Sequence, residues 1–250
     1  MTLPGLAGVT VVLPAGGRGE RLASLARTVN KAALRIGRHT LIGRTLDMYA
    51  AAGVRRFSVL VGHRAGSVRR ALGDGRRRGL TIRYAMDPPR PVGKGGAIRL
   101  ALASGAIPAG APFIVHNPDD QVVNIPRRFP ALIWNRHRAL ARRGAIATAV
   151  CVPATDYPYS AFTAGRGGFA RGAVMYPRVV MPTHIGVTVF SAEAAADFRR
   201  RIPLTRRSDF ESVILPGLAV RRRLGLAMIP AGTWIPVNDL KGWKALLAAI

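Results

Sequence analysis

The sequence predicts a three-layer α/β fold of Rossmann-like character, with a mixed sheet that is parallel except at its edge and helices on both faces. Three observations carry this expectation. Short apolar runs alternate with helix-period stretches from the first strand onward, as a βαβαβ chain requires. The first run, Val9 to Leu13 (VTVVL), is continuously apolar, which suits a parallel strand covered on both faces. The Gly-rich and acidic turns follow strands, where an open α/β sheet places its ligands.

Taken in order, the Val9–Leu13 strand opens into a Gly-rich turn, Ala15 to Gly19. Leu41 to Ala52 has helical periodicity and ends at Gly53, a suitable residue just past a helix C-terminus. Phe57–Val61 is the second strand, Ser67–Leu72 a helix, and Leu80–Tyr84 a strand. Lys94–Ala103 is a helix entered through Gly93-Lys94-Gly95-Gly96. Phe113–His116 is a strand ending in Asn117-Pro118-Asp119-Asp120, followed by a helix over Pro130–Arg143 and a strand over Ala145–Val152. Tyr159–Thr163 and Val174–Tyr176 are short strands flanking a Gly-rich hairpin, Gly165 to Gly172. Ile185–Phe190 is a strand, Ala192–Arg201 and Phe210–Leu218 are helices, and Leu226–Ile229 and Thr233–Val237 are strands before a closing helix, Leu240–Ile250. No linker or repeat divides the chain. The expectation is one domain over residues 1–250, with about 1–150 as one half and about 151–250 as a second lobe.

Composition narrows the partners. The chain has 250 residues, 49% of them hydrophobic, and 38 Lys+Arg against 12 Asp+Glu, a formal net charge of +26. That apolar content excludes a disordered basic tail. The charge points to an anionic partner: nucleic acid, a membrane surface or a phosphorylated small molecule. Only four of the bases are lysine (Lys31, Lys94, Lys241 and Lys244), and the arginines are scattered in pairs and triplets. Aromatics are only 6%, which argues against a base-stacking platform and so against nucleic acid. Cys151 is the lone cysteine, so neither an intramolecular disulfide nor a thiolate metal site is expected. No stretch is apolar enough for a membrane span, and the apolar Leu3–Pro14 reads as a buried strand and not as a leader, because no base precedes it. A cytoplasmic protein is expected.

The strongest local chemistry lies in Leu13-Pro-Ala-Gly-Gly-Arg-Gly-Glu-Arg-Leu22, followed by Lys31. Gly16, Gly17 and Gly19 let backbone N–H groups approach an anion, and Arg18, Arg21 and Lys31 add positive charge. This describes a triphosphate cradle, though neither a Walker A loop nor a complete dinucleotide fingerprint. Asp119-Asp120, at a strand end, would suit a hard divalent cation or, equally, a turn. His39, His63, His116 and His137 lack zinc-site spacing, and His116 could line a pocket or pack in the core. No GxSxG elbow supports a hydrolase triad.

The segment LPAGGRGERLASLARTVNKAALRIGRHTLI resembles the signature LAGGxGTRLxPLTxxxPKxLLPVxGxPLI of sugar-1-phosphate nucleotidylyltransferases. The likeness continues through TLDMYAAAGVRRFSVLVGH, Gly93-Lys94-Gly95-Gly96-Ala97 (similar to GTAGA), Phe113–Asp120 (similar to FLVxNGDxL), Thr183–Phe190 (similar to INAGIYVF) and Pro230–Val237 (similar to GxWxDVGT). It spans nearly the whole chain in order. The resemblance implies the nucleotide-diphospho-sugar transferase type of sheet and attack of a sugar-1-phosphate oxygen on the α-phosphate of an NTP, with Mg²⁺ and release of pyrophosphate. It implies catalytic roles for Arg21, Lys31 and Asp119, and nucleotide binding by Ala15, Gly16, Gly17, Arg18, Gly19, Asp87, Gly93 and Lys94. Sugar phosphate would meet Arg178, His184 and Gly186, and Asp119, Asp120 and Asp239 would hold the metal. A homo-oligomer is compatible with the family.

The sequence also departs from the family. Pro236 stands at the second metal Asp, with Asn238 and Asp239 two and three residues on. Met175-Tyr176-Pro177 stands where the family has EKP, so Arg178 would supply the missing cation. His184 replaces an Asn and could bond a sugar hydroxyl or be a satisfied strand histidine. Asp87 falls near the Gln that reads uracil or thymine; a carboxylate accepts only, which suits the N–H groups of guanine or cytosine. Two alternatives remain: transfer to another phosphorylated acceptor, as in a cytidylyltransferase, or a catalytically silent nucleotide-binding homologue.

Overall fold

The computed structural model describes residues 5–22 and 25–250; Leu3, Pro4, Ala23 and Ser24 lie outside the described residues. In chain order the strands are β1 (Thr10–Ala15), β2 (Arg35–Ile36), β3 (His39–Thr40), β4 (Arg56–Val61), β5 (Thr81–Met86), β6 (Phe113–His116), β7 (Asp120–Val122), β8 (Ala147–Val152), β9 (Thr155–Asp156), β10 (Ser160–Ala164), β11 (Ala170–Met175), β12 (Arg178–Val179), β13 (Thr183–Phe190), β14 (Leu224–Met228) and β15 (Trp234–Pro236). The helices are α1 (Leu41–Ala51), α2 (Ala65–Leu72), α3 (Gly93–Ala103), α4 (Phe129–Ala141), α5 (Ala195–Arg201), α6 (Phe210–Val220) and α7 (Leu240–Ala248).

Seven strands form the central sheet in the order β14-β8-β13-β6-β1-β4-β5. β1 pairs in parallel with β4 and β6, β4 with β5, and β14 with β8. β13 runs antiparallel to both β6 and β8. The antiparallel strand therefore lies inside the sheet and not at its margin. Period-two alternation alone cannot show this, because a strand buried on both faces reads the same in either direction. The expected Thr233–Val237 strand is β15, which pairs with β7 outside the central sheet.

The alternation of strand side chains builds two cores. Val11, Leu13, Val59 and Val61 pack on one face with Ile42, Leu46 and Tyr49 of α1, Val68 of α2, and Phe129 and Ile133 of α4. Val12, Leu60, Phe113 and Val115 pack on the other with Ile98 of α3, Phe198 of α5, and Phe210 and Ile214 of α6. A third cluster joins Leu22, Leu34, Val123, Val237 and Leu246 beneath α7. Thr40 caps α1 by accepting from Gly43 N–H at 3.1 Å, which fixes where the first crossover helix begins. Among the described residues, no helix is long and apolar enough to cross a membrane.

Two histidines are built into the layers as neutral groups. His116 is bracketed by Tyr49 Oη at 3.0 Å and the Asp120 carbonyl at 2.8 Å, so its Nε2–H donates to that carbonyl. His137 sits between Thr148 Oγ1 at 2.9 Å and Ser191 Oγ at 3.2 Å. Burial depresses both rings to about 4. His116 is thus a core histidine and does not line a pocket.

Two outcomes are expected. Phe198, fully buried, stacks edge-on against Phe113 and Phe190, so Phe198→Ala should cost about 3 to 5 kcal/mol in urea unfolding. Because the folded pKa values of His116 and His137 lie below the ordinary 6.5, stability should fall as pH drops from 6.5 toward 4, by about 1.4 kcal/mol per pH unit for each ring. His137→Gln should remove one ring's share of that slope in unfolding titrations across the window.

Candidate active site

The parallel strands deliver their carboxyl ends to one rim, and there a cavity of about 1220 Å³ opens. β1 ends at Ala15, whose side chain is buried, and the chain enters the Gly16–Gly19 loop. The buried Asn30 amide pins this loop, donating to the carbonyls of Ala15 (2.9 Å), Gly17 (3.2 Å) and His63 (2.8 Å). Its Oδ1 accepts from Ala32 N–H at 2.9 Å and so starts the tight turn that carries Lys31. Gly19 has φ +65°, and a Cβ there would lie 2.8 Å from the Cβ of Lys31. Its missing side chain is what lets Lys31 cross the loop toward the rim.

Lys31 Nζ reaches Asp119 Oδ2 at 2.6 Å and Asn238 Oδ1 at 3.1 Å. Asp120 points the other way. It accepts from Trp234 Nε1 at 2.9 Å and Asn117 Nδ2 at 3.1 Å, yet burial and the neighbouring Asp119 raise its pKa to about 7. Gly186 makes room for it: a Cβ there would sit 1.9 Å from Asp120 Oδ2. Gly186 therefore lies under the acidic pair, as a support for it.

Across the cavity, the Asp87 carboxylate packs onto Gly16 and Gly62, where added Cβ atoms would fall 2.5 and 2.7 Å from its Oδ2. Burial pushes the Asp87 pKa up, partly offset by Arg207. At the far end, Gly93 and Gly95 allow residues 207–209 to lie on the start of α3, with Gly95 N–H bonded to the Ser208 carbonyl at 2.9 Å. Lys94 Nζ there pairs with Glu211, and reaches Asn117 Oδ1 at 3.4 Å and Asp209 Oδ1 at 3.7 Å. Burial and Asp209 raise Glu211 to about 8. Burial opposes ionisation of Asp209 too, but its bond with Glu211 and the charge of Lys94 outweigh that and hold its pKa low.

Of the residues expected at the site, Arg21, Lys31, Asp119, Gly16, Gly17, Arg18, Gly19, Asp87, Gly93, Lys94 and Asp120 all line this one cavity. Ala15 lies one residue below it. Arg178, His184 and Asp239 do not line it. Arg178 is exposed on β12, opposite Asp156. His184 Nε2 is engaged by the Val187 carbonyl and Thr188 Oγ1, both at 3.0 Å, so the satisfied-strand reading describes its ring. Asp239 caps α7 by accepting from Gly242 N–H at 2.9 Å, while its neighbour Asn238 takes the place at Lys31. Among the described residues no three His, Cys, Asp or Glu converge as a metal cluster.

The lining also contains Arg207, Ser208, Asp209, Ser212, Asn117 and Asn238, which sequence reasoning did not select. Asp209 carried a local signal, since it precedes an apolar helix and caps α6. Asn30 carried one as well: it stands where the signature has the Pro of its PK pair, and its side-chain amide meets three carbonyls. Among the described residues, Arg18, Arg21 and Arg207 form no ion pair, although the charge of Arg207 is felt by Asp87 across the cavity.

Similarity to known proteins follows the same lines. A stretch of the chain is 37% identical over 87 residues to a glucose-1-phosphate thymidylyltransferase of Streptomyces antibioticus; it covers 35% of this chain and about a quarter (24%) of that relative's length. Among solved structures, a Bacillus anthracis protein assigned as a glucose-1-phosphate thymidylyltransferase, crystallised with sucrose, superposes with a TM-score of 0.73 at 16% identity, covering 96% of this chain and 94% of that one. The UDP-glucose pyrophosphorylase of Acinetobacter baumanii gives 0.68 at 15%, covering 95% and 91%, and HddC of Yersinia pseudotuberculosis gives 0.66 at 18%, covering 96% and 98%. At these identities the structures attest the fold. The nucleotidyl transferase pattern matches residues 9–162, from the first strand past the acidic pair, and by that match this chain belongs to the nucleotidyl transferase family.

Proposed function

We propose that the protein transfers a nucleotidyl group from an NTP to a phosphorylated acceptor of the sugar-1-phosphate class, releasing pyrophosphate. The observation that carries this reading is the Lys31–Asp119 pair sharing a single cavity with the Gly16–Gly19 loop and with Arg18, Arg21 and Arg207, none of them in an ion pair among the described residues. In the reaction an acceptor phosphate oxygen forms a bond to the α-phosphorus as the bond to the β-phosphate oxygen breaks. Catalysis is then positioning and charge neutralisation. The Gly16–Gly19 amides and Arg18 hold the triphosphate, Arg21 meets the leaving phosphates, and Lys31 turns from Asp119 to the transferring phosphate.

The donors present fit a magnesium ion shared with substrate, because Asp119 keeps one carboxylate oxygen outside its ion pair and Mg²⁺ is commonly held by one or two carboxylates plus phosphates. When bound, the ion would neutralise charge on the transferring phosphate. Asp120 would support Asp119 from beneath, its oxygens engaged by Trp234 and Asn117. Asp239, which caps α7 and does not line the cavity, would not join them. That placement is also the observation that favours the silent reading, and turnover decides between the two.

Within one domain, residues up to about 150 would hold the nucleotide and the later lobe the acceptor. Asp87 would accept from the N–H groups of guanine or cytosine. Lys94, Ser208, Asp209 and Ser212 would form the acceptor end, where Ser208 Oγ and Glu211 Oε2 are buried without hydrogen-bond partners among the described residues. They take the place expected of Arg178 and His184. Reliance on an NTP pool places the enzyme in the cytoplasm.

Pyrophosphate release across a panel of NTPs and sugar-1-phosphates, with Mg²⁺, tests the reading; no turnover with any pair would sink it. Arg21→Ala and Asp119→Ala should each lower kcat/KM by about a hundredfold or more in that assay. Asp87→Asn should lower kcat/KM for GTP or CTP by roughly ten- to a hundredfold while raising that for UTP, since its amide can donate to a uracil carbonyl.

A further inference from the structure

Outside the cavity, the strap joining β8 to β13 has no assigned role. Nine of the eighteen exposed large hydrophobic residues among those described fall within residues 157–181. Phe169 is 79% exposed, Val180 85% and Phe162 68%. β10 and β11 pair only with each other; every residue of β11 and the last three of β10 are exposed, and only Ser160 and Ala161 at the ribbon's root are partly buried. A two-stranded ribbon of this kind is marginal alone in water. Its tip turns through Gly167 and Gly168, at φ +65° and +84°, and presents Phe169 between Arg166 and Arg171. The root is held at α7, where Lys241 Nζ lies 5.3 Å from the Tyr176 ring centre.

Charge identifies the occupant. Residues 157–181 contain Arg166, Arg171 and Arg178 and no carboxylate. Among the described residues, none of the three makes an ion pair. A second copy would bring the same +26 excess to this face and meet repulsion. A single nucleic-acid strand would stack on the rings but gain little from Val174, Met175, Val180 and Met181. An anionic bilayer surface suits all of it: acyl chains for Phe169 and Val180, headgroup phosphates for the arginines, and the interfacial zone for Tyr157 and Tyr159. We propose that the 157–181 strap docks the protein reversibly on an anionic membrane surface. Since β8 is parallel to β6, the strap leaves the sheet at the cavity's own rim, and docking would hold the cavity mouth close to the bilayer.

Vesicle flotation with the full chain tests this. Binding to vesicles of phosphatidylglycerol and phosphatidylcholine in equal parts should exceed binding to phosphatidylcholine alone by roughly a hundredfold, the effect of three arginines at the surface. The variant Phe162→Ser/Phe169→Ser/Val180→Ser and the charge variant Arg166→Glu/Arg171→Glu should each weaken it by about tenfold or more, with NTP turnover and melting temperature unchanged. Should the serine variant fail to fold, the charge variant carries the test, because both arginines are exposed. The proposal is overturned if the unmutated chain does not float with anionic vesicles, or if neither variant weakens flotation. It is equally overturned if the strap instead covers a second copy, seen in sedimentation as a dimer that the serine variant dissociates, or if single-stranded oligonucleotide displaces the protein from vesicles.

Discussion

Asn30 ties the ends of the paired strands β1 and β4 to α2 and to the turn that carries Lys31. Its amide is only 2% exposed and is shared among carbonyls from the loop after β1 and the loop after β4. Its backbone N–H bonds to Ser67 Oγ on α2 at 2.8 Å, and its Oδ1 starts the Lys31 turn. A buried amide left unpaired costs about 1 to 3 kcal/mol, so these partners hold position together or lose it together. From the turn, Lys31 extends the connection to Asp119 beside β7 and to Asn238 before α7. One residue thereby relates the first strand of the chain to its last helix, and the cavity lies along that path.

Charge is distributed in keeping with this. The chain carries 12 carboxylates against 38 bases, yet five carboxylates line the cavity (Glu20, Asp87, Asp119, Asp120 and Asp209), as do two of its four lysines. The cavity is close to locally neutral while the exterior is strongly cationic. Each lining lysine faces several acceptors, and an ammonium on a flexible stem can move among them as a rigid guanidinium fork cannot. Among the described residues, the arginines of the lining form no ion pair, so their donors are open to an anionic ligand. Most of the remaining arginine serves no part of this site.

What the sequence disclosed was what local pattern encodes. Strand and helix order came from apolar periodicity, and the Gly16–Gly19 loop, Lys31 and Asp119 were legible because each follows a strand end or sits in a contiguous motif. Residues 207–212 reach the cavity only because Gly93 and Gly95 admit them onto α3, a tertiary fit with no periodic signature. Asp239 shows the opposite lesson. It stands directly before a helix with Gly242 three residues on, and the local capping bond claims it ahead of any distant partner. At His184 the register of β13 slips between residues 184 and 188, with Gly186 at φ +71°, and this bulge gives the ring acceptors on its own strand.

The placement of β13 bears on how the chain can acquire its structure. β6 and β8 are both complete by residue 152, but neither touches the other; the strand between them is not made until residues 183–190. A nascent chain that has emerged only through β8 would carry two hydrophobic strand edges facing an empty slot. The slot is filled only after the long strap has been synthesised and has folded back, a non-local closure of the kind that slows folding. The two halves are therefore interleaved within one sheet, and a cut between them would separate neighbouring strands. Assembly on the ribosome should pause in a sticky, half-built state, in which demand for chaperone shielding is greatest.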